Sequence, residues 1–160
     1  MKMILTALAL LCSGLIAGLL FSYSCSVNPG LRALSNIEYL HAMQSINKEI
    51  QHAIFLITFI MPLVLLPIGT YFQFPSPNSF YLWIAATLLY VIGVFGVTVF
   101  GNVPLNEQLD GSVLEKLNPS DLAKVREQFE VPWIRFHFIR TVAAVFSFFL
   151  LLLSLTHSHK

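Results

Sequence analysis

Four stretches of the chain are apolar and long enough to cross a bilayer: residues 4–21, 53–72, 80–100 and 133–156. A spanning helix needs about 20 apolar residues, because the hydrocarbon layer is about 30 Å thick and each helical residue rises about 1.5 Å. No Asp, Glu, Lys or Arg occurs between residues 50 and 106, and no water-facing fold keeps such a surface. The fourth stretch is uncharged only over 141–156; its helix is expected to start near Trp133, which brings Arg135, His137 and Arg140 into its first turns.

The first stretch reads as a retained span rather than a cleaved signal peptide, since it exceeds the about 7–15 apolar residues of a signal h-region. Gly14 and Gly18 within it form a small-xxx-small pair suited to helix packing. Residues 73–79, with Pro75 and Pro77, make a short turn between spans two and three, which are therefore an antiparallel hairpin. Pro62 and Pro67 are expected to kink the second span.

Two polar segments remain. In residues 24–51 the part from 35 to 51 reads as an amphipathic helix continuous with span two. Residues 101–132 carry Glu107, Asp110, Glu115, Lys116, Asp121, Lys124, Arg126, Glu127 and Glu130, with a helix start at 118–122. The expected fold is all-α: an integral membrane four-helix bundle, one transmembrane domain over 1–160, with both polar segments capping one side and both termini on the other.

Composition agrees. Hydrophobic residues make up 56% and charged residues 11% of the chain, against about 25% charged in soluble domains. Arg32, Lys48, Lys116, Lys124, Arg126 and Arg135 fall on the loop side against Lys2 and Lys160 on the terminal side, which favours cytoplasmic loops, while Lys2 at the head of the first span favours the opposite orientation. A net charge of +1 with scattered Lys and Arg leaves no basic patch, so nucleic acid is not a partner expected here. Cys12 and Cys25 have no redox or metal spacing.

Charge and polarity at membrane depth are costly, so the polar residues there carry the information. Trp133, His137, Arg140 and Thr141 share one face of the fourth helix at i, i+4, i+7 and i+8. Thr98 and Asn102 share a face of the third, and Pro104 is expected to break that helix and turn Asn106 under the bundle. His41, Gln44, Asn47 and Lys48 form a further polar strip. A purely structural reading is open for the same groups: Arg140 snorkelling to headgroups, Asn102 capping a helix end, His41 and Asn47 on a solvated face. Metal-ligand spacings are missing, and the tail pair His157 and His159 sits at a chain end. A haem held between His41 and His137 is the one cofactor alternative to none.

Thr98, the run Asn102-Val-Pro104-Leu-Asn106 and the run Trp133-Ile-Arg-Phe-His137-Phe-Ile-Arg140 resemble the T…PxN and W…H..R elements of the anthrone-oxygenase-like family of small four-span membrane proteins. The opening Gly14…Gly18…Ser24 and the Met43…Asn47 pair resemble that family's earlier motifs. The resemblance implies a cofactor-independent oxygenase or related redox enzyme acting on an apolar aromatic or quinone-like molecule. His137 would then be the base, because an imidazole near neutrality accepts a proton. Arg140, Asn102 and Asn106 would hold the developing oxyanion, and Trp133, Thr98, Asn47 and His41 would bind substrate. The competing class is a non-enzymatic membrane scaffold or subunit whose polar cluster locks the helices. Membrane lipid, the small ligand and a second copy of the chain (a homo-oligomer) are the expected partners.

Overall fold

The structure, a computed structural model, describes residues 2–157; His159 and the side chain of His157 lie outside the described residues. The described residues form five helices, α1 (Lys2–Arg32), α2 (Asn36–Glu49), α3 (Ala53–Gln73), α4 (Pro77–Asp110) and α5 (Pro119–His157), with a 3-10 turn at Leu114–Lys116. Among the described residues there is no strand. α1, α3, α4 and α5 are long and apolar enough to cross a membrane. The protein is thus a multi-pass, all-α membrane bundle.

The four long helices form a ring in which α1 and α4 each pack on both α3 and α5. Lipid is as apolar as leucine, so helix association in a bilayer depends on close approach and on polar bonds between helices. Small residues supply the approach: Ala9, Ser13 and Ala17 on α1, Ala86 on α4, and Ala143, Ala144 and Ser147 on α5 are all buried. The polar bonds sit among them. Trp83 Nε1 donates to Ser154 Oγ at 2.9 Å, Ser147 Oγ to the Ala86 carbonyl at 2.8 Å, and Tyr90 OH to the Phe59 carbonyl at 2.9 Å. That last bond falls in the turn before Pro62, where a missing amide loosens the ladder. At Gly69 a Cβ would lie 2.0 Å from the Trp83 ring, so only glycine admits the indole there.

A second apolar cluster forms the cap. Tyr39, Leu40 and Met43 of α2 bury against Leu109, Leu114, Leu122, Phe129 and Trp133. Arg126 binds the two polar segments together, donating to Glu130 at 2.7 Å and to the carbonyls of Leu34 and Arg32 at 2.8 and 3.0 Å, with its guanidinium 4.4 Å over the Tyr39 ring. Both segments therefore lie at one end of the bundle.

Four details differ from the expectations. α2 is not continuous with α3: residues 50–52 turn, and His52 caps the new helix by accepting from the Ile54 amide at 3.3 Å, which frees α2 to bury its own apolar face in the cap. The fourth span does not begin near Trp133 but continues a helix opened at Pro119, where Asn118 Oδ1 accepts from the Asp121 amide at 3.0 Å. Pro104 does not end α4. The wide turn Thr98–Asn102, in which the Val103 amide reaches the Thr98 carbonyl, absorbs the proline and the helix runs on to Asp110. Of the glycine pair, Gly14 packs on Phe148, whereas a Cβ on Gly18 would meet nothing within 4 Å.

Candidate functional site

Where the bundle meets its cap, α5 turns the Trp133–His137–Arg140–Thr141 face inward. The Trp133 and His137 rings stack 5.1 Å apart at 7°, and the Arg140 guanidinium lies 5.3 Å over the Trp133 ring. Arg140 reaches His137 Nδ1 at 3.2 Å and Thr98 Oγ1 at 3.4 Å. A guanidinium only donates, so Nδ1 is the acceptor and the imidazole proton sits on Nε2. Nε2 lies 3.0 Å from Ser24 Oγ and 3.4 Å from Thr141 Oγ1. Both hydroxyls donate to backbone carbonyls, Ser24 to Leu20 at 3.2 Å and Thr141 to His137 at 2.7 Å, which leaves each free to accept from Nε2–H. The imidazole is thus a fully bonded, buried strut behind Arg140.

α4 supplies the opposite wall. Asn102 Nδ2 donates to the Trp133 carbonyl at 3.2 Å, and Trp133 Nε1 donates to Asn106 Oδ1 at 2.9 Å. The continuous helix and its wide turn, rather than a turn back, bring Asn102 and Asn106 to the indole. Asn47 arrives from α2.

These groups surround a cavity of about 400 Å³. Its wall includes Thr98, Asn102, Asn106, Trp133, Arg140 and Asn47 together with Tyr23, Phe55 and Phe59, while Glu107 and Asp110 stand at its cap end. Two polar atoms of the wall residues are buried without a partner: Nδ2 of Asn47, a residue 4% exposed, and Oδ1 of Asn102, 1% exposed. Buried polar atoms rarely go unpaired, and both atoms belong to wall residues but are closed off from the cavity itself, so a ligand meets them only if the carboxamides turn.

Arg140 has no carboxylate within ion-pair distance among the described residues. Among the described residues the acidic partners lie on the cap, where Glu130 pairs with Arg32 and Arg126, Asp121 with Lys124, and Glu115 with His41. A cation held inside a membrane bundle without a counter-charge is costly. The arrangement provides a guanidinium, carboxamides and flat aromatic walls around one space: the means to bind an electron-rich or anionic oxygen on an apolar body.

Of the residues singled out in the sequence, Thr98, Asn102, Asn106, Trp133, Arg140 and Asn47 share the cavity wall, with His137 directly behind it. His41 is not brought to them. It is half-exposed on the cap, its Nε2 3.5 Å from Glu115, because six residues separate it from Asn47 and place it about 120° away around α2. His41 and His137 therefore do not face one another across a space for haem. Arg135 lies in an outer groove with Arg32 and Glu130. Tyr23 is not among the residues the sequence singled out, and Ser24 is there only as the end of the opening motif that resembles the family. Both are polar residues closing the first apolar run; the wide turn Tyr23–Val27 carries them into the site.

The sequence model of one family, described as anthrone oxygenase, matches residues 40–150. That stretch contains every cavity-wall residue contributed by α2, α4 and α5 and leaves out Tyr23 and Ser24. No curated protein and no solved structure matches the chain. With more than half its length matched, and with the matched residues gathered around one cavity, the chain belongs to the anthrone oxygenase family.

Proposed function

We propose that the protein is a membrane oxygenase that oxidises an apolar phenolic or anthrone-type molecule with dioxygen. The observation that carries this reading is Arg140, a guanidinium that has no carboxylate partner among the described residues and stands in the wall of an otherwise largely apolar cavity. A ring methylene conjugated to a carbonyl loses a proton to give an enolate. Arg140 holds the enolate oxygen where a preorganised donor in a low-dielectric site counts most. A turn of the Asn47 carboxamide, whose Nδ2 is unpaired but closed off from the cavity, would supply a second donor. Addition of dioxygen to the carbanion carbon gives a hydroperoxide, and loss of water leaves a second carbonyl, so the methylene and one O2 become a C=O group and one H2O.

We assign His137 to position Arg140 and Trp133 rather than to take the substrate proton itself, since its Nδ1 lone pair is engaged by Arg140 and it stands behind the wall. The proton leaves toward Glu107 and Asp110 at the cap end of the cavity. A scaffold role accounts less well for this site. The bundle has its own polar locks at Trp83–Ser154 and Ser147–Ala86, whereas the cavity leaves two amide atoms unpaired.

The test is oxygen uptake by protein in lipid nanodiscs supplied with an anthrone-type phenol. Wild type should consume one O2 per substrate, and Arg140→Gln should be slower by about 10²-fold, the usual loss of one oxyanion donor, with helicity retained. Equal rates for the two proteins would refute the assignment.

A further inference from the structure

The cavity opens sideways as well as toward the cap. α3 packs on α4 closely along Pro77–Leu88 and only lightly along Leu89–Gly96, so the two helices part toward the cap, where α4 takes its wide turns. Three residues of the cavity wall stand at this parting and are exposed: Leu56 at 41%, Val99 at 36% and Val103 at 37%. Their chain neighbours Ile57 and Phe100 are also exposed and apolar. Leu56 is three residues into α3, about 5 Å along its axis at 1.5 Å per residue, which sets the gap near the boundary between headgroups and acyl chains. The aqueous end of the same cavity is flanked by Glu107 and Asp110, whose charge disfavours the approach of an anion from water.

We infer that the site takes its ligand from the bilayer, through a lateral portal between Leu56 on α3 and Val99 and Val103 on α4. The ligand is a lipid-soluble amphiphile: a phenol or quinone headgroup that reaches Arg140 and the two asparagines, with a hydrocarbon substituent that stays in the portal among the acyl chains. The ligand half of this inference rests on the proposed function; the portal stands on geometry alone.

Only two tryptophans are present, and Trp133 is the one in the cavity wall, so Trp83→Phe makes its emission a local reporter. This variant is reconstituted in phosphatidylcholine vesicles whose chains are brominated near the headgroup. Brominated lipid should quench Trp133, and adding Leu56→Phe and Val99→Phe to narrow the portal should remove most of that quenching. If Trp83→Phe does not fold, the same comparison runs on the otherwise unaltered chain, where Trp83 adds a constant background. A long-chain benzoquinone dissolved in unbrominated vesicles should quench Trp133 through the open portal and lose its effect in the narrowed variant, while a sulfonated, water-soluble quinone should have little effect. Lipid quenching that is absent, or indifferent to the narrowing substitutions, would overturn the portal. Quenching by the water-soluble quinone alone would overturn it too, placing entry at the cap. Lipid quenching through a working portal with no response to either quinone would overturn the ligand class, and would count against the proposed function without touching the portal.

Discussion

At the residue scale, two guanidinium nitrogens of Arg140 converge on His137 Nδ1. If Nδ1 is an acceptor that aims the guanidinium, His137→Asn should keep most activity, because a carboxamide oxygen can take the place of that acceptor. His137→Ala should lose about 10²-fold, the scale of a misplaced reacting group. A direct base would fail in both variants, so oxygen uptake by the pair separates the roles. Much of this site was legible in the sequence. Helical spacing alone puts Trp133, His137, Arg140 and Thr141 on one face, and the cost of burying them turns that face inward. His41 shares a helical face with Gln44 and Lys48 but not with Asn47, six positions on, so it meets Glu115 on the cap rather than the cavity. The place of Tyr23 could not be found by spacing, since it reaches the site through a local widening of α1.

Individual elements follow rules set by lipid more than by intrinsic propensity. Gly69→Ala should destabilise the bundle by about 1–3 kcal/mol, the usual cost of overpacking, because the new methyl meets the Trp83 ring. Gly18→Ala should leave thermal unfolding in detergent unchanged or slightly raised, since the space beside it is open. In the cap, Arg126→Ala removes the bonds to Glu130, Leu34 and Arg32 together. It should speed proteolysis in residues 33–36 while the apolar spans stay protected. Helix starts were readable where a side chain caps them, as at Asn118. Pro104 and Pro132 are poor markers of helix ends here, because a helix in a membrane gains more from continuing its backbone bonds than it loses at one missing donor.

For the whole molecule, the bilayer makes a four-span bundle legible from hydrophobicity alone: a stretch that must satisfy all its backbone groups internally has little choice but helix. The packing of both polar segments into one cap puts residues 75–78 and 110–125 at opposite ends of the bundle. Accessibility reporters at these two positions should label from opposite sides of the membrane; labelling from one side would break the four-span arrangement. The parting of α3 and α4, and the cavity within it, were not legible, because they depend on wide turns that leave no periodic trace.

The central claim is that Arg140 stabilises an oxyanion inside the bundle, and the most direct measurement is the titration of a bound chromophoric phenol followed by its absorbance. An opposite charge within about 4–6 Å should lower the pKa of the bound phenol by about 1–3 pH units relative to the phenol in water. In Arg140→Gln the depression should vanish or reverse, since an apolar cavity by itself disfavours the phenolate. A bound phenol that titrates at the same pH in both proteins, or higher than in water in the wild type, would contradict the account.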